Sequence, residues 1–168
     1  MNIDRRLFDS VTLYTTAIDR ADTDSPRSAE RRAVAALAEA AFGPGAEISH
    51  RPDGSPYINK EGIYISVSHS RHHAALAVAS HEVGIDIEQQ RTQLIRIAGR
   101  FLSAEEQKIY NTPALILRAW TLKEAAYKAL RPDTPATKIA LPPAAGWRIV
   151  YSGPHPAVPD TYLSIVRP

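Results

Sequence analysis

Short segments of period-two, β-branched character recur along this chain of 168 residues, and they do not alternate regularly with its helical patterns. "SVTLYTTAI" (10–18), "GIYISVSHS" (62–70), "HAALAVAS" (73–80), "EVGIDIE" (82–88), "WRIVYS" (147–152) and "TYLSIVR" (161–167) read as strands. "HRPDGSPYI" (50–58) is a turn-rich lead into a short strand. "SPRSAERRAVAALAEAAFG" (25–43) reads as a helix capped by Ser28 and ended by Gly43. "TQLIRIAGRF" (92–101) is a helical piece, and "LSAEEQKIY" (102–110) opens a helix with Ser103 and Glu106 as a capping box. "PALILRAWTLKEAAYKAL" (113–130) is the longest helical pattern. "ADTDSP" (21–26) reads as a loop, and the Pro-rich "RPDTPATKIALPPAAG" (131–146) stops the long helix. Without a regular βαβ repeat, the expected class is α+β.

The length suits one compact domain or two small halves sharing a core, and a boundary near residue 83 divides the chain evenly. Apolar residues are 44% and charged residues 23%, a globular balance that argues against disorder. No apolar run is long enough for a membrane span, and "MNIDRRLFDS" lacks the apolar core of a signal peptide. The chain has no cysteine, which excludes a disulfide framework, a thiolate nucleophile and a Cys-based zinc site. A soluble, cytoplasmic protein is expected. Net charge is +2 overall, but the first 83 residues carry −2 and the remainder +4. The basic second half suits an acidic partner or a phosphorylated ligand, or is ordinary surface variation.

Two stretches hold candidate chemistry. In "VGIDIEQQR" (83–91), Asp86 and Glu88 stand two apart in a strand pattern and so share a face, where their charges repel. Taken alone, the pair equally describes the solvated face of an edge strand. In "WTLKEAAYK" (120–128), Glu124 and Lys128 share a helix face, with Trp120 one turn earlier and Lys123 alongside. Alone, this describes a surface ion pair beside a packed tryptophan. "SVSHS" (66–70) offers hydroxyls and an imidazole to an anion, but there is no nucleophile elbow. The six histidines show no metal spacing such as H-E-x-x-H, and neither a Walker loop nor G-x-G-x-x-G occurs.

In combination and order, "DGSPYI", "SVSHS", "GIDIE", "RFLSAEEQKIY" and "WTLKEAAYK" resemble the 4'-phosphopantetheinyl transferase superfamily, most closely its monomeric, surfactin-synthetase-activating type. The resemblance covers roughly residues 28 to 130, and the pairing of "GIDIE" with "WTLKEAAYK" is its most specific part. It implies two similar α+β halves, 1–83 and 84–168, related by a pseudo-two-fold axis with the active site between them. The first half would hold the nucleotide of coenzyme A, and the second the metal site and catalytic helix. The implied reaction moves 4'-phosphopantetheine from coenzyme A to a serine of an apo acyl or peptidyl carrier protein. Adenosine 3',5'-bisphosphate is the other product.

The resemblance also implies residue roles. Asp86, Glu88 and Glu124 would bind Mg²⁺, or Mn²⁺ in its place, and Glu124 would be the base for the carrier serine, directly or through a metal-bound water. Lys123 and Lys128 would stand near the pyrophosphate and pantetheine arm, as catalytic and coenzyme A-binding residues. Ser68 and His69 would meet the 3'-phosphate, Arg31 a further phosphate, and Ser55 and Pro56 the adenine. The carrier would dock through its acidic helix on a basic rim, for which charge alone, and not the resemblance, suggests Arg91, Arg96 or Arg100. A monomer is expected, with no nucleic-acid or membrane partner. One departure is Gly54-Ser55-Pro56 where the family usually has Gly-Lys-Pro, which removes a cation. Rival readings are a non-catalytic binding module of the same fold and a metal-dependent nuclease using Glu106-Gln107-Lys108.

Overall fold

A computed structural model describes residues 2–20, 25–142 and 146–168. The chain divides into two compact units, Met1–Val83 and Gly84–Pro168. The architecture is mixed α+β, with antiparallel sheets and four helices among the described residues.

The first unit is built on a four-stranded sheet of order β1-β2-β6-β5, formed by β1 (Ile3–Phe8), β2 (Val11–Ala17), β5 (Tyr64–His69) and β6 (His73–Ala79). A ribbon of two-residue strands, β3 (Ser49–His50) and β4 (Pro56–Tyr57), forms a separate sheet whose β4 packs against β5. The sequence patterns miss β1, whose "IDRRLF" mixes charges with apolar residues. The reason is its place at the sheet edge, where charged side chains discourage further pairing. Helix α1 (Pro26–Phe42) lays Ala29, Ala33 and Leu37, spaced at i, i+4 and i+8, on a core with Tyr14, Ala74 and Leu76. Its cap is Ser25, not Ser28: the Ser25 hydroxyl accepts from the Ser28 amide, and Pro26 follows at the first helical position. Gly43 ends the helix at φ 100°, a left-handed conformation that favours glycine. The expected loop at 21–26 falls mostly outside the described residues, as does part of the Pro-rich stretch 131–146.

The second unit has a three-stranded sheet of order β7-β9-β8, from β7 (Gly84–Gln89), β8 (Arg148–Pro154) and β9 (Thr161–Arg167). Helices α2 (Thr92–Phe101), α3 (Ala104–Ile109) and α4 (Pro113–Leu130) lie between β7 and β8 in sequence. The capping box at Ser103 and Glu106 forms as expected. Thr112 caps α4, and Pro113 sits at its first position. Helix α4 is central to this unit, because it packs on β7 and β9 and also on α2 and the 3₁₀ turn Ala136–Lys138. That explains why it is apolar on more than one side: Ile116, Leu117, Ala119, Leu122, Ala125, Ala126 and Ala129 are all buried. Thr121 meets Ser164 of β9 in a buried hydroxyl pair at 2.8 Å. Phe101 stands edge-on to Trp120, ring centroids 5.1 Å apart, and joins α2 to α4.

Candidate active site

One glycine decides how β7 meets α4. A Cβ placed on Gly84 would lie 1.9 Å from the Ala125 carbonyl oxygen and 2.7 Å from the Ala129 amide nitrogen. Helix and strand backbones therefore touch here. Gly84, Asp86 and Glu88 alternate with Ile85 and Ile87, so all three share the face of β7 that meets the helix. The two acids are thereby carried along the flank of α4 that bears Glu124 and Lys128.

Lys128 answers the first acid. Its ammonium donates to the Asp86 carboxylate at 2.9 Å and to the Ile85 carbonyl at 2.9 Å. Glu88 turns toward Arg91, with which it forms an ion pair, and it also accepts from the Gln89 amide at 2.9 Å. Burial pushes the Glu88 carboxyl above its ordinary range; the Gln89 amide and the Arg91 charge oppose the rise, and Asp86 adds to it. Burial likewise raises the Glu124 pKa, the negative charge of Asp86 raises it further, Lys128 opposes, and Glu88 adds to the rise. Glu124 thus feels both strand acids. Three partly desolvated carboxylates face one ammonium and one guanidinium, which leaves the negative charge concentrated and incompletely balanced.

An oxygen-only donor set of this kind fits a hard divalent cation such as Mg²⁺. The side chains as they stand do not close around one: among the described residues, no three His, Asp or Glu groups converge as metal ligands. Lys128 and Arg91 engage two of the three acids instead.

The family model of the 4'-phosphopantetheinyl transferase superfamily matches residues 82–147. Over these residues the chain is similar to that superfamily. The matched segment holds β7, α2, α3 and α4, and with them all three carboxylates. The match is to the superfamily as a whole and does not distinguish the surfactin-synthetase-activating type. No curated protein matches the chain significantly.

Not every residue expected in the site joins the carboxylates. Lys123 is 2% exposed and turned away from them. Its ammonium is paired with Glu106 at 3.0 Å and donates to the Ile139 carbonyl. Lys123 and Lys128, both expected near the pyrophosphate, thus have different partners, Glu106 for the first and Asp86 for the second. The two lysines are five residues apart, and at about 100° per residue they leave α4 in different directions. Lys123 instead lines a cavity of about 280 Å³ with Arg100, Phe101, Glu106, Lys138 and Ile139.

In the first unit, His69 ends β5 with its Nε2 3.8 Å from Glu30, and Arg20 lies 3.9 Å from the same carboxylate. Arg31, the next residue of α1, is exposed, and its Nε donates to the Arg27 carbonyl at 3.4 Å. Ser68 is buried on β5. Ser55 and Pro56 belong to the ribbon turn, where the Ser55 hydroxyl donates to Asp53 at 2.6 Å and Arg51 donates to the Pro56 carbonyl at 3.3 Å. Glu30 thus gathers His69 near α1, while Ser55 and Pro56 are held within their own turn.

Two residues escaped the sequence reading of the site. Gly84 carries no signal beyond being a glycine inside a strand pattern, which does point to a close backbone approach. Glu106 was visible as a cap but not as the partner of Lys123. Gln107 and Lys108 follow it on α3, and Lys108 pairs with Glu105, so the nuclease-like tripeptide lies on a helix.

Proposed function

We propose that this chain is a transferase that moves the 4'-phosphopantetheine group of coenzyme A onto a serine of an apo acyl or peptidyl carrier protein, releasing adenosine 3',5'-bisphosphate. The observation that carries the reading is the grouping of Asp86, Glu88 and Glu124, with Lys128, inside the segment that matches the superfamily. Breaking a pyrophosphate bond is chiefly a matter of positioning and charge. Bound by these carboxylates, Mg²⁺ would supply Lewis-acid polarisation of the phosphates. Asp86 and Glu88 hold the strand side of that set, and Glu124 holds the helix side. On this reading Glu124 is also the base toward the carrier serine, directly or through a metal-bound water. Lys128 neutralises Asp86 and, on this reading, also meets phosphate charge. On this reading Arg31, Ser55, Pro56, Ser68 and His69 hold the nucleotide of coenzyme A. Arg96 and Arg100, both exposed on a helix without acids, receive the acidic carrier.

The test is to incubate the protein with coenzyme A, Mg²⁺ and a panel of apo carriers from fatty acid, polyketide and nonribosomal peptide synthesis, and to read the carrier by intact mass. One phosphopantetheine group added to the carrier serine supports the proposal. No addition to any carrier, by a protein shown to be folded, overturns it.

A further inference from the structure

Glu106 does more than cap a helix. Its carboxylate accepts from the Ser103 amide at 2.9 Å, from the Leu141 amide at 3.1 Å and from the Lys123 ammonium at 3.0 Å. One side chain thus ties α3, α4 and the segment after the 3₁₀ turn. Lys123 completes the junction through the Ile139 carbonyl and is the largest of the fully buried side chains.

A buried ion pair is weak evidence for stability, because a well-packed apolar pair serves as well or better. Its geometry is the more informative property. Successive residues of a helix are about 100° apart, so Lys123 and Ala125 lie about 200° apart, on nearly opposite faces. Ala125 and Ala129 press on the bare backbone at Gly84. Lys123 is held from the other side by Glu106. Glu124 stands between these two restraints, on the flank. The rotation and depth of this one helical turn fix where the Glu124 carboxylate meets Asp86 and Glu88.

We propose that Glu106 and Lys123 form a buried strut that positions Glu124 against the strand carboxylates, and that Lys123 is not a ligand of the coenzyme A phosphates. Glu106 is then a positioning residue acting through Lys123 and the helix backbone. The activity arm of the test rests on the transfer reaction proposed above; the stability arm does not.

The experiment compares the full chain with Glu106→Gln, Lys123→Met and the double variant. It reads coenzyme A affinity by calorimetry, kcat and KM for transfer, and the melting temperature. Glu106→Gln is expected to lower kcat about tenfold or more while coenzyme A KM and Kd stay within about twofold, the pattern of a lost transition-state arrangement. The double variant is expected to recover part of both kcat and melting temperature relative to each single variant, since neither partner is left as an unpaired buried charge. If Lys123→Met and the double variant both weaken coenzyme A by about tenfold or more at an unchanged melting temperature, Lys123 binds phosphate and the strut is wrong. Unchanged kcat in Glu106→Gln also overturns it. Should wild type transfer nothing to any carrier, the functional reading fails by itself. The melting temperatures still decide the strut, because additive losses in the double variant reject it. If either single variant fails to fold, the double variant, apolar or neutral on both sides, keeps the comparison with wild type open.

Discussion

The backbone of Gly84 lies against the carbonyl of Ala125 so closely that a Cβ at 84 would stand 1.9 Å from that oxygen. The atoms it would meet are helix backbone, which has no rotamer to yield. Gly84→Ala is therefore expected to push β7 and α4 apart and to destabilise the fold by about 3 kcal/mol or more, the upper end of overpacking effects. Urea unfolding would show this as a lower midpoint at an unchanged slope. Any folded fraction should also transfer poorly, because the same contact sets the distance from Asp86 and Glu88 to Glu124.

That contact shows what local pattern carries and what it omits. The period-two run at 82–88, the helical period of 113–130 and the capping box at Ser103 are local signals, and each appears as an element in its expected place. The mixed α+β class follows from them. Strand β1 escaped because an edge strand needs no apolar alternation. The Ser25 cap escaped because two serines compete near Pro26, and proline at the first helical position decides between them. In the site, the acids were visible as a strand pair and a helix residue. The direction of Lys123 was not, because two lysines on one helix look alike until the partner of each is placed. Glu106 is 17 positions from Lys123, and no spacing rule connects them.

The carboxylate group should cost stability when no cation is bound. Glu88 and Glu124 are both raised above their ordinary range, chiefly by burial. Above those raised values the native state holds charges that the unfolded chain carries more easily, so folding is penalised at neutral pH. The penalty fades as pH falls through the native values and is gone below the unfolded ones. Glu124→Gln is thus expected to raise the melting temperature at neutral pH in chelator while abolishing transfer. Mg²⁺ should raise the melting temperature of wild type by mass action and that of the variant much less. Scanning calorimetry with and without Mg²⁺ checks both signs. A variant that melts lower than wild type in chelator would show that Glu124 is held by favourable contacts and is not strained by its neighbours.

Charge on α2 should govern the carrier and leave coenzyme A alone. Arg96 and Arg100 are exposed, and the helix bears no acid to offset them. Arg91 is already engaged by Glu88 and is a poorer candidate. Reversing Arg96 and Arg100 to Glu together is expected to raise KM for an acidic carrier by about tenfold, mainly through slower association, with coenzyme A affinity unchanged. The effect on wild type should shrink as salt rises, since exposed charges are screened. Equal carrier KM values for wild type and the double reversal would place the docking face elsewhere.

Glu106 should give the fold an acid-sensitive element. Burial alone would raise its carboxyl, but the Ser103 amide, the Lys123 ammonium and the Leu141 amide together hold it below the ordinary value of 4.5. The native state therefore keeps the carboxylate ionised to lower pH than the unfolded chain does. As pH falls past the unfolded value, the unfolded chain takes up the proton first, and stability declines. The contribution is full above that value and is lost as pH falls through the depressed native one. Glu106→Gln removes this proton-linked loss. Between about pH 6 and pH 3, which brackets the ordinary range of a glutamate, its stability should fall less steeply than that of wild type, although it starts lower because Lys123 has lost its counter-charge. Urea titrations at several pH values measure the two slopes directly. Parallel curves would mean that the Glu106 proton is not linked to folding, and that its contacts in the native state are matched in the unfolded chain.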